Sequence, residues 1–438
     1  MPDSGASSTV RSTRTTAVRT GLGAVRRHGP PAVHRAPNAR RGSACSAPRS
    51  APPLAETPVR GRKVVSSRPA DLRESLPMTP STPRPPTYGG VLEGPLRGHH
   101  RLWYVVRADG GDGELADLGR LKVGEPREGV LWYDRRSFPS EEALLAELPR
   151  LGVPRVPPVR RAGAGGPAVH GFIEGSTLGE LAPAGGHMSA RHLDQIVELF
   201  RALARVRPGD LPPAVTGDGA AAHGADDSAG FLGGLLRHTR ERCYEERRPE
   251  YGWLFDRLGV PPHAFDDTSP LGARAARLTP RPYCLLHGDL HRENLIVAPD
   301  DALWTIDWEL AALGDPLYDL ATHLHLTRYP PDQEREVTAR WHEVMARELP
   351  GATAGTARDL DCYLRFKRAQ SVCTDVVRHA VAVREAPPAE RAGRLALTAK
   401  AVHRVLARAE EALGLTGVPG PGAVEEIYDA LPSAAPHA

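Results

Sequence analysis

The feature that most constrains this chain is a polar loop, His287-Gly-Asp-Leu-His-Arg-Glu-Asn294, enclosed by two apolar runs, Cys284-Leu-Leu286 before it and Leu295-Ile-Val297 after it. A further apolar run, Leu303-Trp-Thr-Ile306, ends on Asp307. Short apolar runs bounded by turn formers read as buried strands. The strand-loop-strand order puts the Asp289 carboxylate in the loop at the end of one strand and the Asn294 amide at the start of the next. Asp307 terminates a third strand, so two carboxylates and an amide oxygen can converge where adjacent strand ends meet. The competing reading makes His287-Gly-Asp289 a plain turn and leaves the carboxylates to cap helices or face solvent. It does not explain why three spaced polar positions agree with their flanking strands.

Length and charge bound the rest. At 438 residues the chain exceeds one typical domain and can bury a substantial core. Its apolar runs are only a few residues long, against the roughly 20 that cross a bilayer, so no membrane span is expected. The five scattered cysteines (Cys45, Cys243, Cys284, Cys362 and Cys373) include no C-x-x-C pair, which argues against a disulfide framework or a structural zinc site. A reducing, cytoplasmic setting is expected. Net charge is +3, but residues 1–77 hold fourteen Arg and Lys against four Asp and Glu, a net +10 that leaves −7 for residues 78–438. An acidic remainder suits a cationic small molecule better than nucleic acid. Arginine supplies nearly all the positive charge in a chain rich in Ala, Gly and Pro, as coding bias in a GC-rich genome produces. Lys63, Lys122, Lys367 and Lys400 stand against that bias.

Residues 1–85 are dense in Arg, Ser, Thr and Pro and nearly free of aromatic residues, so they are expected to be disordered. A targeting peptide, a basic arm, and translation from upstream of a true start at Met78 are the competing explanations. Strand signals follow at Gly89–Leu92, Leu102–Val106, Gly119–Val123 and Val130–Tyr133. Ser140 reads as the N-cap of a helix over Glu141–Leu148, whose Leu144, Leu145 and Leu148 form one stripe that should pack on the sheet. A strand over Ala168–Ile173 leads to Glu174-Gly175. The remainder reads as mainly helical, with Leu193, Ile196, Val197, Leu199, Phe200 and Leu203 at helical spacing within Ala190–Val206. A mobile loop is expected from Pro208 to Gly230, and helices over about 315–326, 331–348, 355–383 and 389–413. The expected fold is α+β with two lobes. The N-terminal lobe (86–175) is small, antiparallel and β-rich with one helix, and ends in a hinge. The C-terminal lobe (176–438) is large and mainly α-helical.

Phosphoryl transfer asks mainly for positioning and charge neutralisation: a base for the acceptor hydroxyl, and oxygens that hold Mg²⁺ against the phosphates. The order D-x-x-x-x-N followed by a strand-terminal Asp supplies these parts as kinases do. The segments H-G-D-L-H-R-E-N-L (His287–Leu295), I-D-W-E (Ile306–Glu309) and G-D-P-L-Y-D-L-A (Gly314–Ala321) together resemble the aminoglycoside phosphotransferase family. That family has a protein-kinase-like fold and counts choline, homoserine and fructosamine kinases among its relatives. Motif agreement covers about residues 283–322, and weaker agreement in element order covers about 88–415. The resemblance implies that Asp289 is the catalytic base, that His287 completes the catalytic pair by ordering its loop, and that Asn294 and Asp307 hold Mg²⁺. One departure is Glu293, where many members carry a small residue, usually Gly; it bears on loop shape or substrate contacts. His291 reads equally as a structural hydrogen-bond partner or a contact to phosphate or metal. Asp315 and Asp319 read as a cap and a brace.

The same plan needs a phosphate-covering turn, a lysine and a helix glutamate in the small lobe. The candidates are the turn Gly94-Pro-Leu-Arg-Gly98, Lys122, and Glu141, 19 residues further on and within reach of a strand-to-helix ion pair. A rival assignment makes Val130–Tyr133 the lysine strand's equivalent and passes the phosphate role to Arg135 or Arg136. Glu141 is preferred to Glu142, which reads as a solvated first-turn charge. Phe172-Ile173-Glu174-Gly175 is the expected hinge, offering backbone groups to adenine. No G-x-x-x-x-G-K-[ST], H-E-x-x-H or G-x-S-x-G occurs, which removes P-loop, zinc-protease and α/β-hydrolase chemistry. No A-P-E follows Asp307, which sets protein kinases aside. The implied activity is ATP–Mg²⁺-dependent transfer of the γ-phosphoryl to a small-molecule hydroxyl, on an aminoglycoside or another amine-bearing alcohol, with no nucleic-acid or membrane partner. The alternative is a nucleotide-binding regulatory protein of the same fold with little turnover.

Overall fold

The strand signals of the small lobe assemble into one antiparallel sheet. The computed structural model describes residues 92–97, 101–107, 115, 118–126, 133–161, 168–217 and 226–431. The segment 1–85, Gly98, Val130–Trp132 and Asp218 lie outside the described residues. Strands β1 (Leu92–Arg97), β2 (Arg101–Arg107), β3 (Arg120–Pro126), β4 (Val159–Arg161) and β5 (Ala168–Gly171) run in the order β1-β2-β3-β5-β4. Lys122 is central, opposite Val105 on one side and His170 on the other. Gly94 falls inside β1, where the register with β2 shifts between Glu93 and Leu96, and its φ of 129° is one that L side chains rarely adopt. It therefore makes a bulge, not the expected phosphate-covering turn.

Helix α1 (Glu141–Glu147) starts where the sequence places it, with the Ser140 side chain accepting the Ala143 N–H at 3.1 Å. Its packing reaches beyond the sheet. Among the described residues the sheet's own buried cluster is Val106, Leu115, Leu121, Val123 and Val169. Leu144, Leu145 and Leu148 join the main core as well, where α1 meets β4 of the sheet and the short helix α4 (Pro213–Thr216). Burying each leucine contributes about 1.5–3 kcal/mol, and the larger core offers more apolar partners than one face of a small sheet.

After β5, residues 172–175 pass into β6 (Ser176–Thr177), which pairs with β8 (Leu295–Val297), itself paired with β9 (Leu303–Thr305). Gly175 is required there: its φ is 145°, and a Cβ would lie 2.1 Å from the Val297 carbonyl oxygen. A third pairing joins β7 (Cys284–Leu286) to β10 (Ala312–Gly314). Strands β4, β6 and β10, of two or three residues, have no separate signal in the sequence.

Around these strands lie α2 (Leu178–Leu181), α3 (Ala190–Arg205), α5 (Ser228–His238), α6 (Arg248–Arg257), α7 (Pro270–Ala275), α8 (Pro316–Thr327), α9 (Pro331–Glu348), α10 (Thr356–Arg384), α11 (Arg391–Leu413) and α12 (Pro421–Asp429). All six apolar positions read from the α3 pattern are buried. The expected loop from Pro208 to Gly230 contains α4 and the start of α5, whose N-cap is Asp227. Among the described residues no helix is long and apolar enough to cross a membrane. Cys243, Cys284, Cys362 and Cys373 are buried and free.

One buried ionic cluster ties β7, α8 and α10 together. Arg281 Nη2 donates to Asp315 Oδ2 and Arg281 Nη1 to Asp359 Oδ2, both at 2.7 Å, and the Tyr363 hydroxyl donates to Asp315 Oδ2 at 2.7 Å. Asp315 also caps α8 through the Leu317 N–H. Arg281→Met would leave the buried Asp315 without its cation and Asp359 with Arg358 alone, an expected loss of about 3–5 kcal/mol in denaturant unfolding. A loss under 1 kcal/mol would show that the cluster does not hold the fold.

Candidate functional site

The loop after β7 is shaped by backbone constraints before any chemistry is considered. Gly288 has φ 78°, and a Cβ there would lie 2.2 Å from the Leu310 carbonyl oxygen, so only glycine fits. The Asp319 carboxylate, buried on α8, accepts the His287 N–H at 3.1 Å and the Gly288 N–H at 2.9 Å. Burial pushes this carboxyl up to about 6, and the two N–H donors work against that.

His287 lies under the loop. Its Nε2 is 3.1 Å from the Ile306 carbonyl oxygen, its Nδ1 accepts the Asp289 N–H at 3.3 Å, and its ring packs 4.7 Å from Trp308. Burial lowers its pKa to about 4, so the ring is neutral. The only tautomer that satisfies both contacts carries the proton on Nε2. Arg292 anchors the far side, donating to the carbonyls of Thr327 (3.0 Å), Gly186 (2.7 Å) and Ala182.

The structure brings Asp289 and Asn294 together: Asn294 Nδ2 donates to the Asp289 carbonyl at 2.9 Å and to Asp289 Oδ2 at 3.1 Å. The Asn294 Oδ1 is thereby oriented away from these acceptors. His291 Nε2 approaches Asp289 Oδ2 at 3.3 Å. Burial alone would raise the Asp289 carboxyl, but the charge and hydrogen bond of His291, with Lys367 behind, hold it below the usual carboxylate range. Asp289 raises the His291 pKa against the effect of burial, and the Glu293 N–H lies 3.2 Å from His291 Nδ1. His291 then donates from Nε2 to Asp289.

Asp307 follows β9 with φ 67°, a conformation that Asp tolerates better than most residues. The turn is pinned on both sides: the Ile306 N–H donates to the Asn294 carbonyl at 3.0 Å, and the Trp308 N–H to Glu141 Oε1 at 2.9 Å. Among the described residues nothing donates a hydrogen bond to the Asp307 carboxylate. Burial, followed by the charges of Glu141, Glu309 and Asp289, pushes it up to about 7, and Lys122 opposes this. A buried carboxylate crowded by the charges of Glu141, Glu309 and Asp289 matches the donor chemistry of a hard divalent cation such as Mg²⁺.

The N-lobe candidates distribute differently. Lys122 Nζ sits 3.9 Å from the centre of the Trp103 ring and closes no ion pair with Glu141. Burial lowers its pKa, and the fields of Asp307 and Glu141 pull the other way. Glu141 reaches Trp308 instead. Glu142 is not the solvated charge expected: it accepts from Arg101 at 2.8 Å and from Ser140 at 2.9 Å, with His170 Nε2 3.7 Å away. Arg136 pairs with Glu309 at 2.5 Å, and Arg135 is exposed. The Phe172 N–H donates to the Arg120 carbonyl at 2.8 Å, so it is not open to a ligand, and its ring stacks under the Arg120 guanidinium at 4.4 Å. Ile173 follows it in the linker.

Glu293 does not face the loop's open side. Its Oε2 accepts from the Thr177 hydroxyl at 2.9 Å, and a Cβ on Gly179 would lie 1.9 Å from its Oε1. The bulk at position 293 is thus accommodated by its absence at 179. Sequence reading missed the roles of Trp308, Arg292 and Gly179. The tryptophan adjoining Asp307 was the one available signal.

Residues 121–355, more than half of the chain, match the phosphotransferase enzyme family. The chain belongs to that family. No curated protein matches it in sequence. This family member is similar to the solved structure of a choline kinase from Streptococcus pneumoniae, with 16% identity, a TM-score of 0.43, and 73% of this chain and 94% of that one covered. It is also similar to a macrolide 2′-phosphotransferase from Brachybacterium faecium, with 19% identity, a TM-score of 0.42, and 76% and 96% covered. A choline/ethanolamine kinase family protein from Mesorhizobium loti gives 20% identity and a TM-score of 0.39 over 74% and 93%. The phosphotransferase has a sheet-based small lobe and a helical large lobe.

Buried histidines in and beyond the site set a pH dependence of stability. His287, His323 and His379 are lowered to about 4 and His325 to about 3, each chiefly by burial, from an ordinary 6.5. The unfolded chain protonates these rings from about pH 6.5 downward, while the folded rings resist to about pH 4, so acidification favours unfolding. The raised Asp307, Asp319, Glu309, Asp375 and His291 act in the opposite sense, while the lowered His238 and the lowered carboxylates Asp289, Glu142 and Asp359 add to the loss on acidification. Melting temperature should therefore fall as pH drops from about 6.5 to 4; a flat or rising profile would contradict this.

Proposed function

We propose that the protein is an ATP–Mg²⁺-dependent small-molecule O-phosphotransferase in which Asp289 is the catalytic base. The observation that carries this reading is the Asp289–Asn294 contact beside the crowded, hydrogen-bond-free Asp307. Asn294 Oδ1 and Asp307 would hold Mg²⁺, which when bound neutralises charge on the β- and γ-phosphates. Asn294 Nδ2 and His291 orient the Asp289 carboxylate, whose lowered pKa keeps it ionised and ready to accept the proton of the acceptor hydroxyl. His287 is a positioning residue: neutral and buried, it fixes the Asp289 main chain. Lys122 stands near enough to Asp307 and Glu141 to feel both charges, and ATP phosphates would draw it from the Trp103 face. The linker from Ile173 to Gly175 is where adenine would meet backbone groups. The acceptor is an amine-bearing alcohol, the class that includes aminoglycosides, in keeping with the net negative charge of residues 78–438.

The unclosed Lys122–Glu141 pair favours a second reading, nucleotide binding without turnover. Transfer of label from ATP to any hydroxyl acceptor would decide against it. Asp289→Asn should lower kcat by about 10²–10⁴ while nucleotide binding persists. Wild-type turnover in that variant would remove Asp289 from the role. Asp307→Asn should abolish the dependence of nucleotide affinity on Mg²⁺, measured by calorimetry with and without chelator.

A further inference from the structure

Successive side chains of a strand alternate between the two faces of a sheet. The register therefore puts Arg101, Trp103, Val105, Lys122, Gly124 and His170 on one face of the small sheet. The opposite face buries Val106, Leu121, Val123 and Val169. On the first face the half-buried Trp103 ring carries the Lys122 ammonium 3.9 Å from its centre. Gly124, directly opposite Trp103 in the register, makes room for this: a Cβ there would stand 2.7 Å from the ring. Its φ is not positive, so the ring and not the backbone asks for glycine. The His170 ring meets the same indole edge-on, with centroids 5.3 Å apart.

Electrostatics alone would send the ammonium elsewhere. Asp307 and Glu141 both favour its charge, yet among the described residues Lys122 forms no ion pair. Arg101, the other cation on this face, is taken by Glu142 at 2.8 Å. A cation over an indole shielded from water is a contact strong enough to compete with such fields.

The contact has a definite sign in nucleotide binding. A lysine that neutralises phosphates must first leave the ring, so the contact stabilises the nucleotide-free chain and not the complex. An interaction present only in the unbound state lowers affinity by the factor it contributes.

Resting on the nucleotide site of the reading above, we propose that Trp103, seated over Gly124, is a positioning residue that holds Lys122 off Asp307 and off the phosphates, and so sets nucleotide affinity below what Lys122 alone would give.

The test measures ADP binding to the full-length protein by calorimetry, with Mg²⁺ and with chelator. Trp103→Leu should tighten binding roughly two- to thirtyfold. Loss of a residue that only packs the site would weaken it. Trp103→Phe, with a weaker π face, should fall between wild type and Trp103→Leu. Gly124→Ala, which forces the ring aside, should shift affinity in the same direction, and supplies the reading if Trp103→Leu fails to fold. In a Lys122→Met background Trp103→Leu should leave affinity unchanged, because the ammonium it acts through is gone. The chain has six tryptophans, so the Trp103 emission is taken as the difference between wild type and Trp103→Phe, and it should change when ADP binds. Unchanged or weaker binding in Trp103→Leu, or the same tightening with Lys122→Met in place, would overturn the proposal and leave the phosphotransferase reading standing. A wild type that binds ADP in neither condition would overturn both.

Discussion

The site depends on one buried carboxylate that takes no part in the proposed chemistry. Asp319 accepts two successive main-chain N–H groups, those of His287 and Gly288, and so fixes the direction in which the chain leaves β7. An unpaired buried N–H costs about 1–3 kcal/mol, so a loop conformation that left these two donors unpaired would be disfavoured. Everything downstream inherits that geometry: the His287 ring bridges to Ile306, Asp289 is presented to Asn294 and His291, and Asn294 in turn holds Ile306 through its carbonyl. Arg281 does for the helices what Asp319 does for the loop, setting α8 and α10 on a common anchor.

The strongest patterns in the sequence were those a single segment can satisfy by itself. Ser140 caps α1 because capping needs only residues three apart. The α3 stripe is buried because helical periodicity is local, and Asp315 caps α8 for the same reason as Ser140. What the sequence did not disclose is long-range. Strands β6 and β10 exist only because β8 and β7 offer them partners. The leucine stripe of α1 was legible, but which of two cores it would enter was not, since both offer apolar surface.

The site divides along the same line. Asp289, Asn294 and Asp307 sit within 19 residues and three short strands, so their convergence could be read from order alone. The small-lobe residues must be brought to them across a fold. There Glu142 is drawn to Arg101, Gly94 becomes a bulge, and the Phe172 amide is used by the sheet. Glu293 looked like a perturbation of the loop, and the structure shows it turned toward Thr177 over a glycine that leaves room for it.

The hydrogen bond from the Trp308 main chain to Glu141 carries a mechanical consequence. Because α1 is seated in the large core and its first carboxylate holds the turn bearing Asp307, the position of the helix and that of the turn are coupled. A swing of α1 away from the large lobe would strand a peptide donor and uncover three leucines together. The same helix is also tied to the sheet by its second carboxylate, since Glu142 accepts from Arg101 of β2, so α1 joins the sheet to the turn that carries Asp307.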